Sequence, residues 1–298
     1  MKVKFDRYTR RKLFSRGMTV LTGATVVIVL LPLFSIIYET VVLGGGVLSV
    51  GFFTQNIPEP CSPHAGVVCQ AGGIGNAIQG SFIIVALAAL YSVPVGIGAA
   101  IFAVEYGGER ALARAISMAA DILSGVPSIV AGMFIYALIF YYEPAIVFST
   151  FSGSLALGVI MLPIVMRTSE EALRTIPHSV REAALALGIS RWKTSIRIVL
   201  VGALPGVLTG VMLAIARAAG EAAPMLLLNN GALHGFTGVN YVSQNMALLI
   251  YTSAVAGYQN DVNLAWGAAL ILIVFVLGMS IVSRVVLNRT ARKWGQST

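Results

Sequence analysis

Six long apolar runs constrain this chain more than any other feature of its sequence. They lie near residues 18–43, 78–104, 115–141, 151–169, 201–221 and 263–287. A helix needs about 20 apolar residues to cross the hydrocarbon core of a bilayer, whereas a barrel strand is about half as long and alternates with period two. The runs are longer than barrel strands and do not alternate. The sequence therefore predicts an all-α integral membrane protein with six transmembrane helices.

The positions of lysine and arginine predict how this bundle is oriented. All but one of the 20 basic residues fall in the N-terminus, in the second and fourth connections, or in the C-terminal segment. Cytoplasmic segments of membrane proteins carry such an excess. We therefore expect a cytoplasmic N-terminus (1–17), a cytoplasmic loop at about 170–200 and a cytoplasmic tail (288–298). The same bias accounts for the net charge of +8, so no nucleic-acid partner is inferred.

The first external connection, residues 44–77, is rich in glycine and proline, which predicts irregular structure. Both cysteines of the chain, Cys61 and Cys69, lie in it. Disulfides persist outside the cytoplasm, so the pair predicts a bridge that staples this loop. Two free thiols are the alternative.

The sequence lacks the motifs expected of an enzyme or a nucleotide-binding subunit. Gly72, Gly73 and Gly75 are not followed by the Gly-Lys-Ser/Thr of a phosphate-binding loop. His64 and the other two histidines all fall in connections, and no grouping typical of a metal site or a nucleophile is found. We expect no cofactor, metal or catalytic residue in this chain, so any ATP chemistry would belong to another subunit.

The fourth connection contains a charged segment that predicts a helix–turn–helix. Ser179 and Glu182 have the spacing of a capping box, and Gly188 supplies the left-handed residue that commonly ends a helix. Ser190 is placed to cap a second helix. A short rigid helix at the membrane surface can insert into a cleft of a soluble partner. An amphipathic loop that lies on lipid headgroups is the alternative.

This segment resembles the EAA loop of ABC-importer permeases. The residues that match are Glu182, Ala183, Ala184 and Gly188. The family continues with Leu-Pro, where this chain has Leu200-Val201. The resemblance implies the ABC type I importer permease fold, a five-helix core over 78–287, and docking of the EAA helix on an ATPase subunit.

Arg217 and Glu221 lie within the fifth apolar run. A charge at the centre of a membrane helix costs on the order of 3 kcal/mol, and such residues usually face a polar path. Residues four apart share a helix face, so a self-neutralising structural ion pair is the alternative. A guanidinium matches the geometry of phosphate oxygens, so the pattern favours an anion path. Glu221 would weaken retention of the anion or accept a proton from hydrogen phosphate.

Three further blocks are similar to the PstA family of phosphate ABC-importer permeases. They begin at Gly125, Leu162 and Ala216, occur in the family's order, and belong to a likeness that covers about residues 75–287. The family has threonine where this chain has Ala222.

The resemblance implies ATP-driven import of inorganic phosphate by alternating access across a bacterial plasma (inner) membrane. It places three residues on the substrate path: Arg217, Glu221 and Arg167. It implies four kinds of partner: a PstC-like permease subunit, two PstB-like ATPase subunits that bind ATP and Mg, a PstS-like phosphate-binding protein, and membrane lipid. The alternatives are a permease for sulfate, molybdate or phosphonate, the PstC-like sister subunit, and an ion-gradient secondary carrier.

Overall fold

A computed structural model describes residues 7–58, 72–108, 111–228 and 231–293. Within these ranges the regular structure is helical, with no strand. The α-helices are α1 (Arg7–Gly45), α2 (Val50–Thr54), α3 (Gly75–Ile101), α4 (Ala111–Gly125), α5 (Ser128–Tyr142), α6 (Thr150–Arg174), α7 (His178–Ala186), α8 (Arg191–Thr194), α9 (Leu200–Ala219), α10 (Met225–Leu228), α11 (Met246–Val255) and α12 (Gln259–Lys293). Two π-helical turns, Phe102–Tyr106 and Ser195–Val199, follow α3 and α8 directly. A 3-10 turn, Pro144–Ile146, lies between α5 and α6.

Five helical segments of the described chain are long and apolar enough to cross a membrane. The third predicted span, 115–141, is not one of them, because the helix direction bends by 108° between α4 and α5. The break lies at Val126 and Pro127: proline lacks a backbone N–H and disfavours the helical conformation in the residue before it. The described residues therefore contain five continuous candidate spans and, at the place of the third predicted span, one sharply bent pair of helices.

α6 is the central helix of the bundle. It packs against α3 on one side and α9 on the other, and 61% of its most apolar 18-residue stretch is buried. The close approach to α9 requires small residues: Gly210 lies against Thr168 and Gly206 against Ala172, with no room for a Cβ at either glycine. These two glycines, which have Gly-x-x-x-Gly spacing, therefore pack against a helix of the same chain. These contacts also set the antiparallel register of α6 and α9.

The first helix, α1, lies outside this core. It packs against α12, where Gly44 lies against the backbone carbonyl of Trp266. None of its most apolar 18-residue stretch is buried. A helix this apolar is stable in such a position only when lipid tails surround it. α1 therefore faces the bilayer along most of its length.

The segment 44–77, predicted to be irregular, is partly folded where it is described. The Ser49 hydroxyl accepts a hydrogen bond from the Phe52 N–H at 3.2 Å and so caps α2. Phe52 is buried in a small apolar cluster with Ile74 and Leu264. The predicted disulfide, and His64 with it, lie outside the described residues.

Asn76 joins two connections at the end of the bundle that carries α2. Its Oδ1 accepts from the N–H groups of Ile57 (3.2 Å) and Ala77 (3.1 Å). Its Nδ2 donates to the carbonyls of Ala232 (2.9 Å) and Leu233 (3.0 Å). Every hydrogen-bonding position of this buried amide is used, which fixes both connections to the first turn of α3.

Candidate functional site

The EAA loop, residues 175–190, contains α7 and the turn that follows it. Gly188 has φ of +77°, as predicted from the sequence. The Gly188 N–H donates to the Leu185 carbonyl (2.9 Å) and the Ile189 N–H to the Ala184 carbonyl (3.2 Å). This pair of bonds is the Schellman motif, which closes the last turn of a helix and reverses the chain.

The predicted capping at the start of α7 is wrong. The helix begins at His178, and the residue before it is Pro177, with no side-chain cap. Proline fixes φ near the value that a helix start requires, so α7 begins one residue before the serine that was expected to cap it. Ser190 does precede α8, but its side chain makes no capping bond either.

The EAA loop presents an exposed surface at the end of the bundle opposite α2. Glu182 and Ala183 are exposed, whereas Ala184 is 4% exposed and faces inward. Two large apolar side chains beside them are also exposed, Leu187 at 81% and Trp192 at 64%. A mixed polar and apolar surface on a short, well-terminated helix is suited to helix-in-groove contact with another protein.

Arg181 fastens α7 to α3. Its Nε and Nη2 donate to Glu105 Oε1 at 2.9 Å and 2.7 Å. Glu105 lies in the π-helical turn that extends α3, and its side chain is only 5% exposed, against 13% for Arg181. The remaining guanidinium nitrogen, Nη1, donates to the Ile176 carbonyl at 2.5 Å.

The second π-helical turn contacts the same carboxylate. The Ser195 hydroxyl lies 3.4 Å from Glu105 Oε2, while its shorter bond, at 3.0 Å, is to the Arg191 carbonyl. Arg191 donates to the Glu105 backbone carbonyl, and its guanidinium lies 5.2 Å from the centre of the Tyr106 ring. The charge of the buried Glu105 carboxylate is therefore compensated mainly by Arg181, through Oε1.

Arg167, predicted to lie on the substrate path, is held by two carboxylates. It pairs with Asp121 of α4 and, through Nη1, with Glu170 Oε2 at 2.7 Å. Its Nη2 also donates to the Ser117 carbonyl at 2.7 Å. Glu170 pairs in turn with Arg174 at 2.8 Å. Arg167 thus joins α4 to α6, and its charge is already compensated.

Arg217 lies near the middle of the bundle. The register of α6 and α9 places it level with the centre of α6, and it lines a cavity of about 50 Å³ with Ile160 and Ile164 of that helix. Ser124 and Ser128, on either side of the break between α4 and α5, line the same cavity. The side chain of Arg217 is exposed and makes no ion pair within the described chain.

The N-terminus of α5 opens on this cavity. Ser128 is the first residue of that helix, after Pro127. The first N–H groups of a helix have no intrahelical partner, and the helix dipole adds a partial positive charge there. Arg217 and the start of α5 therefore make the cavity favourable for an anion at mid-membrane depth.

Glu221 does not share a helix face with Arg217, contrary to the expectation from their spacing. α9 ends at Ala219, and Gly220 follows as the C-cap. Glu221 lies half-buried in the short connection before α10. The two side chains form no ion pair among the described residues, so the alternative of a self-neutralising structural pair is not observed.

Two buried carboxylates that form ion pairs near the EAA loop were not singled out from the sequence, Glu105 and Glu170. Each lies one residue past the end of a predicted span, so neither counted as an intramembrane charge. An acidic residue next to an apolar run is a weak signal, and nothing local points from Glu105 to Arg181. In the described residues no group of three or more His, Cys, Asp and Glu side chains is arranged to hold a metal ion.

Comparison with known proteins gives a consistent result. The family described as "Binding-protein-dependent transport system inner membrane component" matches residues 92–295. The phosphate transport system permease protein PstA of Haemophilus influenzae is 36% identical, over 93% of this chain and 95% of that protein. PstA of Xylella fastidiosa is 39% identical over 81% of each chain. PstA 1 of Mycobacterium tuberculosis is 35% identical over 93% of this chain and 90% of the relative.

Solved structures of ABC transporters share the fold. A chain of a bacterial alginate ABC transporter superposes with a TM-score of 0.62 at 12% identity, over 98% of this chain and 99% of that chain. A chain of the inward-facing MetNI methionine ABC transporter gives a TM-score of 0.57 at 17% identity, over 72% of this chain and 93% of that chain. The fold predicted from the EAA resemblance is confirmed.

Proposed function

The chain belongs to the family of binding-protein-dependent transport system inner membrane components, and on that basis we propose that it is the permease subunit of an ATP-driven importer of inorganic phosphate. It is a multi-pass inner-membrane protein and a transport subunit, not an enzyme. The ion it carries is inferred from two sources. Its relatives are named for phosphate transport, and its core offers a cationic site.

The observation that carries the phosphate assignment is the cavity between Arg217 and the start of α5. Arg217 supplies a fixed charge that has no ion-pair partner among the described residues. The broken third span supplies a helix N-terminus at the same depth, an arrangement that transporters use for anionic substrates. Ser124 and Ser128 add hydroxyl groups at the cavity wall. A tetrahedral oxyanion fits this combination of donors.

Glu221 is a second proposed residue of the path. It lies just beyond Arg217 in the chain but does not neutralise it. A carboxylate near the route would limit how tightly the anion is held, since a conducting site must also release its ion. Arg167, by contrast, is engaged by Asp121 and Glu170, so we assign it to the cytoplasmic mouth of the path, where the anion exits, only through the electrostatic field of that cluster.

The partners follow from the same proposal. Family membership implies a transporter complex with an ATPase and a binding protein. We propose a PstC-like second permease, two PstB-like ATPase subunits that hold ATP and Mg, and a PstS-like protein that delivers phosphate. The EAA loop would then face the cytoplasm, as would both termini, in agreement with the distribution of basic residues.

The proposed cycle is alternating access. Closure of the ATPase dimer on ATP moves the exposed face of α7, with Glu182 and Ala183 at the contact and Ala184 packed inward behind them. The rigid turn at Gly188 passes that movement to α8 and α9. The cavity at Arg217 then opens to the opposite side of the membrane.

The test is uptake of labelled phosphate by the four-component complex in proteoliposomes. We expect ATP-dependent entry with the wild type and at least about a tenfold loss with Arg217→Ala, because one charge-assisted contact contributes about 1.5–3 kcal/mol. Arg197→Ala is the matched control. It removes an exposed arginine near the start of the same span, where no ion pair is lost among the described residues.

Two outcomes would overturn the proposal. Equal phosphate entry by wild type and Arg217→Ala would remove Arg217 from the path. Uptake that persists when the ATPase subunits are omitted would identify an ion-gradient carrier instead. Competition by sulfate, molybdate and a phosphonate in the same vesicles measures the choice of oxyanion, and stronger inhibition by any of them than by phosphate would reassign the substrate.

A further inference from the structure

The EAA loop, on which the ATPase would act, is continuous in the chain with α6 and α9, two of the three core helices. α6 leads into α7, and α8 leads through the second π-helical turn into α9. α3, the third core helix, packs extensively on α6 but has no chain connection to the EAA loop. Any direct link from this loop to α3 has to be made by side chains.

We propose that Glu105 is a positioning residue that transmits movement of the EAA loop to α3 through Arg181. This proposal rests on the function proposed above and extends it to a residue outside the EAA sequence. The proposed link consists of Glu105, Arg181 and Ser195, one residue each from the end of α3, from α7 and from the turn before α9.

The hydrogen bonds of this link restrict movement of α7 relative to Glu105. Two nitrogens of the Arg181 guanidinium converge on one Glu105 oxygen, while the Ser195 hydroxyl lies 3.4 Å from the other. The same guanidinium reaches the Ile176 and Leu173 carbonyls at the end of α6. Charge-assisted bonds of this kind are short and directional, so α7 cannot move by an ångström or more without pulling on Glu105 or breaking the contact.

Burial makes breaking the contact unfavourable. The Glu105 side chain is 5% exposed and that of Arg181 is 13% exposed. Separating the pair would leave a buried carboxylate without its charged donor, since the neighbouring Arg191 guanidinium bonds to the Glu105 backbone carbonyl and the Ser195 hydroxyl lies 3.4 Å away. Arg174, which pairs with Glu170 on its own helix, is 63% exposed and bridges no two elements. Arg181 therefore joins two elements through a buried contact, whereas Arg174 makes an exposed contact within one helix.

The two π-helical turns mark where the movement would be taken up. Phe102–Tyr106 and Ser195–Val199 each contain one residue of the link. π-helical turns are rare, and they occur frequently at functional sites within α-helices. Their position at both ends of one buried contact gives α3 and α9 each a local joint beside the EAA loop.

The test compares coupling in the complete reconstituted transporter. We measure the anion imported per ATP hydrolysed for wild type, Glu105→Gln, Arg181→Gln and the double variant. Each single change should lower this ratio about fivefold or more, the usual size of an allosteric coupling, while ATP hydrolysis continues. The double variant should be no worse than the poorer single variant, because either change alone breaks the link.

A second readout separates transmission from a merely structural role. Hydrogen exchange is compared with and without a non-hydrolysable ATP analogue. In the wild type, nucleotide should change exchange both in α7 and in the turn Phe102–Tyr106. In Glu105→Gln the change should remain in α7 and disappear from that turn. Arg197→Gln, which removes a cation from the neighbouring π-helical turn without breaking an ion pair among the described residues, should behave as wild type.

Three results would overturn the proposal: an unchanged ratio in Glu105→Gln, additive losses in the double variant, or loss of the ATPase subunits from the purified variants. The last would mean that the link builds the docking surface and transmits nothing. If the wild type carries another oxyanion instead of phosphate, the ratio is measured with that ion. Failure of the phosphate assignment is therefore distinguishable from failure of the link.

Discussion

Replacing Gly188 with alanine tests how much the transporter depends on the turn after α7. Gly188 has φ of +77°, and the space where a Cβ would project is empty within 4 Å. Alanine there meets no steric clash with neighbours, so its only penalty is the left-handed backbone. That penalty is about 1–2 kcal/mol for a residue with a Cβ.

The size of the effect follows directly from this energy. Since 1.4 kcal/mol is a factor of ten, the population of the closed turn should fall about five- to thirtyfold relative to its open forms. The Ile189 N–H, which donates to the Ala184 carbonyl at 3.2 Å, reports on that population. Its hydrogen-exchange protection should fall by the same factor in Gly188→Ala, measured on the protein in lipid nanodiscs.

Two further variants test whether the left-handed backbone at Gly188 causes this loss of protection. Gly188→Asn should retain more protection than Gly188→Ala, because asparagine tolerates the left-handed conformation better. Gly98→Ala introduces the same methyl group into the last turn of α3, before the helix continues into Phe102–Tyr106, also with nothing within 4 Å, and should stabilise the protein slightly. Unchanged protection in Gly188→Ala, or equal loss in the asparagine variant, would show that backbone handedness does not set the stability of this turn.

Two further changes probe the packing and the charges of the core. Gly210→Leu should lower the melting temperature of the purified protein by an amount equivalent to about 1–3 kcal/mol, because the site lies against Thr168; an unaltered melting temperature would contradict the close packing of α6 on α9. Arg167→Met leaves Glu170 buried without its main partner and should cost about 3 kcal/mol, whereas Arg174→Gln at a 63% exposed position should cost less than about 1 kcal/mol. Equal thermal shifts for the two arginine variants would refute the assignment of Arg167 to the buried network.

Sequence reasoning located most spans and the EAA loop because those features are local. The apolar runs have the length of a membrane crossing, and Gly188 has the chemistry of a helix end. Pro127 is a local signal for a break, but the angle of the break depends on how α4 and α5 pack against α6, which no local pattern contains. The start of α7 was misplaced for a related reason, since Pro177 competed with the serine two residues later.

The site was harder to predict than the fold. Arg217 stands out as an isolated charge in an apolar run, so its mid-membrane position was expected. The partner of Arg181 was not, because Glu105 is separated from it by 76 positions. The exit of the chain from α9 before Glu221 was also missed, since Ala-Ala-Gly-Glu is compatible with a continuing helix until Pro224 is taken into account.

The lipid-facing position of α1 has a consequence for how the chain tolerates change. The buried residues of α6 must fit a shaped space, whereas a residue of α1 has only to be soluble in hydrocarbon. A scrambled α1 of equal hydropathy should therefore still insert and leave the bundle intact, provided that Gly44 is kept at its contact with α12. Most of the specific information in this sequence resides downstream of that first helix.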